Sequence, residues 1–84
     1  MKIFKYPIAV ADEQVIEMPF GAEIISVANQ NDVICLWAIV DPNSTDKKDV
    51  TVQVIGTGKP MPPVSRFVGT VLKGPFVWHV FADD

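Results

Sequence analysis

The sequence predicts an all-β domain, a small antiparallel sandwich or barrel-like sheet of about six to seven short strands, and three observations carry that expectation. The first is Val33-Ile34-Cys35-Leu36-Trp37-Ala38-Ile39-Val40, the longest unbroken apolar run in the chain. Successive strand residues point to opposite faces, so Val33, Cys35, Trp37 and Ile39 share one side and Ile34, Leu36, Ala38 and Val40 the other. Both sides are apolar, as expected of a central strand covered on both faces. The second is Val50-Thr51-Val52-Gln53-Val54-Ile55, whose alternation places Val50, Val52 and Val54 inward and Thr51 and Gln53 in water. The third is the lack of a helical pattern. No window of about 11 residues keeps a helical period free of Pro, Gly or β-branched clusters, which leaves at most one turn over residues 9–15.

In chain order, Lys2 to Ile8 is a strand with Phe4, Tyr6 and Ile8 on one face and Ile3 and Lys5 on the other. Pro7 cannot donate a ladder hydrogen bond, so this strand is an edge or ends there. Residues 9–12 connect it to a second strand over 13–18, stopped by Pro19 and the turn Met18-Pro19-Phe20-Gly21. Residues 22–29 form a third strand, and Gln30-Asn31-Asp32 supplies hairpin chemistry, because Asn and Asp tolerate left-handed backbone. A hairpin of residues 23–29 with 33–41 follows. Residues 41–49, polar or Pro throughout, are a loop before the strand at 50–55. The segment Gly56-Thr57-Gly58-Lys59-Pro60-Met61-Pro62-Pro63 breaks the pattern, since three prolines in four residues continue neither ladder nor helix. Two last strands, 66–73 and 75–81, are joined at Lys73-Gly74-Pro75. In the first of them Val68, Thr70 and Leu72 share a face opposite Phe67 and Val71, with Gly69 allowing a bulge or a close approach. Trp37 and Trp78 are the largest apolar groups; Trp37 reads as core, and Trp78 as either core or interface.

Eighty-four residues without repeats or linkers make one domain, 1–84. Of these residues 49% are hydrophobic, more than so small a core holds, and contiguous exposed apolar area marks an interface. A homo-oligomer or a contact with a host protein is therefore the expected partnership. Net charge −3, with only seven Lys and Arg, disfavours nucleic acid as a partner. No apolar stretch reaches the ~18–20 residues of a membrane-spanning helix, and no signal-peptide pattern opens the chain. With the lone Cys35 inside an apolar run, this points to a reducing cytoplasm.

Catalytic chemistry finds little support. His79 is the only histidine, and zinc would have to enlist Cys35 and carboxylates at no recognisable spacing, so no metal and no cofactor are expected. None of Ser26, Ser44 and Ser65 lies in a nucleophile elbow. Gly56-Thr57-Gly58-Lys59 lacks the spacing, the following Ser or Thr and the helix of a phosphate-binding loop. What survives is a weaker anion site made from Thr57, Gly58, Lys59 and Arg66. Trp78 and Phe81 are the candidate interface residues, since large aromatics are enriched at hot spots.

Several stretches together carry a resemblance: Lys5-Tyr6-Pro7, Met18-Pro19 with Gly21-Ala22, Leu36-Trp37-Ala38 with Val40-Asp41-Pro42, Gly56-Thr57-Gly58 with Pro60, Phe67-Val68-Gly69-Thr70-Val71, and Val77-Trp78-His79-Val80-Phe81. The layout resembles a family of small uncharacterised bacteriophage and prophage proteins over nearly the whole chain. That resemblance implies a phage or prophage context and the cytoplasm of an infected bacterium, and it supplies no catalytic residues. The functional expectation is thus a non-enzymatic accessory protein that acts by protein–protein contact and self-associates. The alternatives are a protein that binds a small anionic molecule, such as a nucleotide signal of host defence, and a minor structural component of the virion.

Overall fold

The computed structural model describes residues 1–63 and 65–84, and every regular element among them is a β-strand. The strands are β1 (Lys2–Ile8), β2 (Gln14–Pro19), β3 (Glu23–Gln30), β4 (Val33–Val40), β5 (Lys47–Gly56), β6 (Arg66–Lys73) and β7 (Phe76–Ala82). They form two antiparallel sheets, one of three strands ordered β1-β4-β3 and one of four ordered β2-β5-β7-β6. The Cα envelope is only 16 Å thick, which accommodates two sheets stacked ~10 Å apart and no third layer. The fold is a sandwich, in agreement with the sequence.

The strong strands lie where burial stabilises them most. β4 is the middle of its sheet, and Ile34, Leu36, Ala38 and Val40 pack inward against Val50, Val52 and Val54 of β5 and Val80 of β7. All seven of β1's pairings with β4 are in register from Lys2↔Val40 to Ile8↔Ile34, which puts Phe4, Tyr6 and Ile8 inward as the alternation requires. The β3–β4 turn has Asn31 at φ 52° and Asp32 at φ 67°, the left-handed pair that a two-residue hairpin needs to match strand twist. Burial raises the Tyr6 hydroxyl's pKa above its ordinary value by disfavouring the phenolate.

The two sheets are stitched where β3 meets β6, and both strands bulge there. Ile25 is the extra residue between the pairs Ile24↔Ala38 and Ser26↔Trp37, and Val68 the extra one between Phe67↔Phe81 and Gly69↔Val80. At the contact Gly69 approaches β3 so closely that a Cβ there would lie 2.8 Å from Val27 Cγ1. Asn29 Nδ2 donates to the Leu72 carbonyl (3.0 Å) on one side. On the other, Arg66 Nη2 donates to the Ile24 carbonyl (2.6 Å), and the Ile24 N–H donates to Asp84 Oδ2 (2.8 Å). Arg66 and Asp84 also pair through two hydrogen bonds of 3.0 and 2.8 Å. The bulged backbone of Ile24 thus has both its groups satisfied by one ion pair.

The structure corrects four sequence expectations. The Val68 bulge changes how β6 divides its faces: Phe67 joins Thr70 and Leu72 on the outer face, while Val68 packs against the core on the side of Val71. β5 begins at Lys47 and not at Val50, because Lys47, Lys48 and Asp49 pair with Pro19, Met18 and Glu17, and Lys48 Nζ reaches the Ala22 carbonyl (3.1 Å). Their polarity reads as loop, yet an edge pairing with β2 holds them in the ladder, and Pro19 ends that ladder from inside it. Finally, Trp37 is not in the core. It lies on the outer face of β4 and is half-buried, since among the described residues no second sheet lies over that face.

Candidate functional site

Two regions have the shape or surface for binding. The first is an open cleft of about 560 Å³, lined by Val10, Ala11, Asp12, Val54, Ile55, Gly56, Lys59, Pro60 and Trp78. It forms where β5 and β7 end and two connections cross. One wall is the β1–β2 connection, held in place by the Gln14 side chain: Oε1 accepts from the Ala9 N–H (3.0 Å) and Nε2 donates to the Ala9 carbonyl (2.7 Å). The same connection is tied to β5 by the Val54 N–H donating to the Ala11 carbonyl (3.2 Å). The other wall is the loop after β5, closed as a turn by the Lys59 N–H donating to the Gly56 carbonyl (3.2 Å). Trp78 pairs with Gly56 across the ladder, half-buried against the core edge, with Phe76 at 5.8 Å and an interplanar angle of 31°. A smaller hollow of about 310 Å³, lined by Thr57, Phe76 and Val77 among others, shares Gly56 and Trp78 with the first.

The Thr57 hydroxyl is engaged by His79. Its Oγ1 lies 2.8 Å from His79 Nε2, and Thr70 Oγ1 lies 3.0 Å from Nδ1. Both imidazole nitrogens are therefore engaged by hydroxyls, with no carboxylate to orient the ring as a base. Among the described residues no group of three or more His, Cys, Asp and Glu side chains gathers to hold a metal ion.

The expected anion site of Thr57, Gly58, Lys59 and Arg66 is not assembled. Lys59 lines the cleft and Thr57 the smaller hollow, while Gly58 lines neither. Arg66 is opposite Ala82 and Gly56 opposite Trp78, four residues apart along β7, or about 13 Å at the rise of a strand. Arg66 is the partner of Asp84. The Asp84 hydrogen bond raises its pKa above the ordinary arginine value, outweighing partial desolvation. Burial pushes the Asp84 carboxyl up, but the Arg66 and Ile24 hydrogen bonds together with the Arg66 charge hold it below the usual carboxylate range.

The second region is the outer face of the three-stranded sheet. Across its rungs lie Ile3, Ile39 and Glu23, then Lys5, Trp37 and Ser26, then Pro7, Cys35 and Ala28. Ile3 is 60% exposed, Ile25 46% and Val33 43%. Lys5 Nζ donates to Gln30 Oε1 (2.9 Å), bridging β1 to β3 over β4, and Cys35, between Pro7 and Ala28 on this face, is buried. Of the two expected interface residues, Trp78 keeps an exposed edge in the cleft, but Phe81 is only 5% exposed and its partner Phe67, edge-on at 5.5 Å, is the exposed one. The residues that sequence reasoning missed are Asp12, Val10 and Ala11, which the Gln14 clasp brings to the cleft, and no spacing in the chain signals that contact.

Among the described residues no helix is long and apolar enough to cross a membrane. Comparison with curated proteins and with solved structures finds no match. A family model does match, over residues 1–84, and the chain belongs to that family, described as Domain of unknown function (DUF7352).

Proposed function

We propose that this protein acts by protein–protein contact rather than by catalysis, and that it self-associates through the outer face of its three-stranded sheet. The observation that carries the reading is the outer face of this sheet, where Ile3, Ile25 and Val33 are exposed beside half-buried Trp37 and Ile39, and among the described residues no second sheet lies over it. Glu23, Ser26 and Gln30 border it on the β3 side, giving the polar rim of an interface around an apolar centre. The engagement of both His79 nitrogens by threonines supports a role without acid–base chemistry. The resemblance to phage and prophage proteins supports a host protein as the other class of partner for the same face.

The size of the face sets the strength. Three strands of seven or eight residues present a flat area of at most about 14 by 26 Å, or about 370 Å² per copy, under half of the ~800 Å² per partner of a standard stable interface. Self-association is therefore weak and concentration-dependent. Sedimentation equilibrium of the wild type shows mass rising with concentration, while Ile3→Lys and Val33→Lys, both at exposed positions, remain monomeric with unchanged melting. A wild type that stays strictly monomeric up to about 1 mM, or variants that associate equally well, rejects the proposal.

A further inference from the structure

The geometry points to the cleft beside Trp78 as a binding site for a small planar aromatic molecule that carries an anionic group and an N–H donor. This inference is independent of self-association, which uses the other sheet. Three features converge. Volume is the first: about 560 Å³ lies within the roughly 300–1,000 Å³ of small-molecule clefts. The second is preorganisation, because each wall is fixed before any ligand arrives. Gln14 and the Val54 N–H fix the Asp12 wall, and the Lys59–Gly56 turn with the Thr57–His79 contact fixes the other. The third is chemistry. The half-buried indole of Trp78 offers an aromatic surface on which a flat ring stacks. Gly56 keeps that surface open, since the nearest atom to a Cβ added there is Trp78 Cζ3, at 3.4 Å.

The charges select the ligand. Asp12 and Lys59 reach the cleft from different walls, and neither forms an ion pair among the described residues. A ligand anion pairs with the Lys59 ammonium, and a ligand N–H or ammonium donates to the Asp12 carboxylate. Both side chains are exposed, so a molecule with only one of the two groups makes one contact and leaves the other charge in water. Two sources supply the required combination: a nucleotide, with its phosphate and exocyclic amine, and a free aromatic amino acid, with its carboxylate and ammonium.

The test is a two-dimensional amide NMR titration of the full chain with adenosine monophosphate in one arm and phenylalanine in the other. Saturable shifts of the Ala11, Asp12, Gly56 and Lys59 amides and of the Trp78 indole N–H are expected with at least one probe. Which arm responds identifies the source. Lys59→Gln and Asp12→Asn each weaken the response about two- to fivefold, whereas Lys73→Gln leaves it unchanged; all three replace surface charges and spare the core. If neither probe shifts these signals at about 10 mM, well above a millimolar Kd, the site does not exist. Shifts that survive both Lys59→Gln and Asp12→Asn overturn the assignment equally, because the ligand then binds without the charges that define the site.

Discussion

The joint between β3 and β6 is the most sharply testable feature of the fold, and Gly69→Ala probes it with one methyl group. The added Cβ would lie 2.8 Å from Val27 Cγ1, where carbon atoms normally rest ~3.5–4.0 Å apart, so Val27 must retreat by about 0.7 Å or more. Val27 is β-branched and stiff at χ1, and it packs half-buried against the core, so its retreat is restricted. Overpacking of this kind costs ~1–3 kcal/mol, and the smaller entropy of unfolded Ala relative to Gly returns ~0.4–1 kcal/mol. The net loss is about 1–2 kcal/mol, which in a domain of this size lowers Tm by ~4–8 °C per kcal/mol. Urea denaturation followed by circular dichroism measures it, and a double-mutant cycle with Val27→Ala isolates its origin. With Cγ1 removed, Gly69→Ala becomes neutral or mildly stabilising, giving a coupling of at least about 1 kcal/mol. A stabilised Gly69→Ala, or additivity within ~0.5 kcal/mol, refutes the close approach.

Two further expectations concern charge and turn chemistry. Asp84→Asn destabilises the protein at neutral pH by about 1–3 kcal/mol, since the carboxylate is 3% exposed and receives charge-assisted bonds from Arg66. Because the folded pKa of Asp84 lies below its unfolded 3.8, this contribution is complete above 3.8 and is lost as pH falls through the lower folded value. The stability gap between wild type and Asp84→Asn must therefore close in acid, and a gap that stays constant down to pH 2 contradicts the ion-pair account. Asp32→Gly stabilises by about 0.5 kcal/mol, because glycine takes the φ of 67° without steric cost and Asn-Gly is the preferred pair for this turn. The Lys73 contact it forfeits, 3.5 Å to a carboxylate 78% exposed, is worth little; a lower Tm for Asp32→Gly would mean the turn is not left-handed at that residue.

What was legible in the sequence depended on whether a strand's own residues carried the signal. The alternation over residues 50–55 and the Asn31-Asp32 turn are local properties, and the structure reproduces both. The all-apolar run of β4 correctly marked the centre of a sheet. It misled about the second face, because apolar residues are equally compatible with a covering layer and with an exposed patch. Bulges were only half legible. Gly69 signalled a close approach, yet the extra residue in β6 is defined by the spacing of its partner β7, and Phe67 and Val68 exchanged faces as a result.

The candidate site was legible in part for the same reason. Lys59 follows directly from the loop after β5. Asp12 reaches the cleft because the Gln14 side chain makes both backbone hydrogen bonds of Ala9 and the Val54 N–H ties Ala11 to β5, which no residue spacing encodes. Arg66 illustrates the opposite error. In sequence it stands close to Lys59, but antiparallel pairing sends it to the far end of β7, where the bulge at Ile24 needs a donor and Asp84 needs a cation. A cation near a loop in sequence is thus a weak guide to a ligand. The better guide is where the fold places the charge, and in this sandwich Asp12 and Lys59 line one cleft while Arg66 is paired with Asp84.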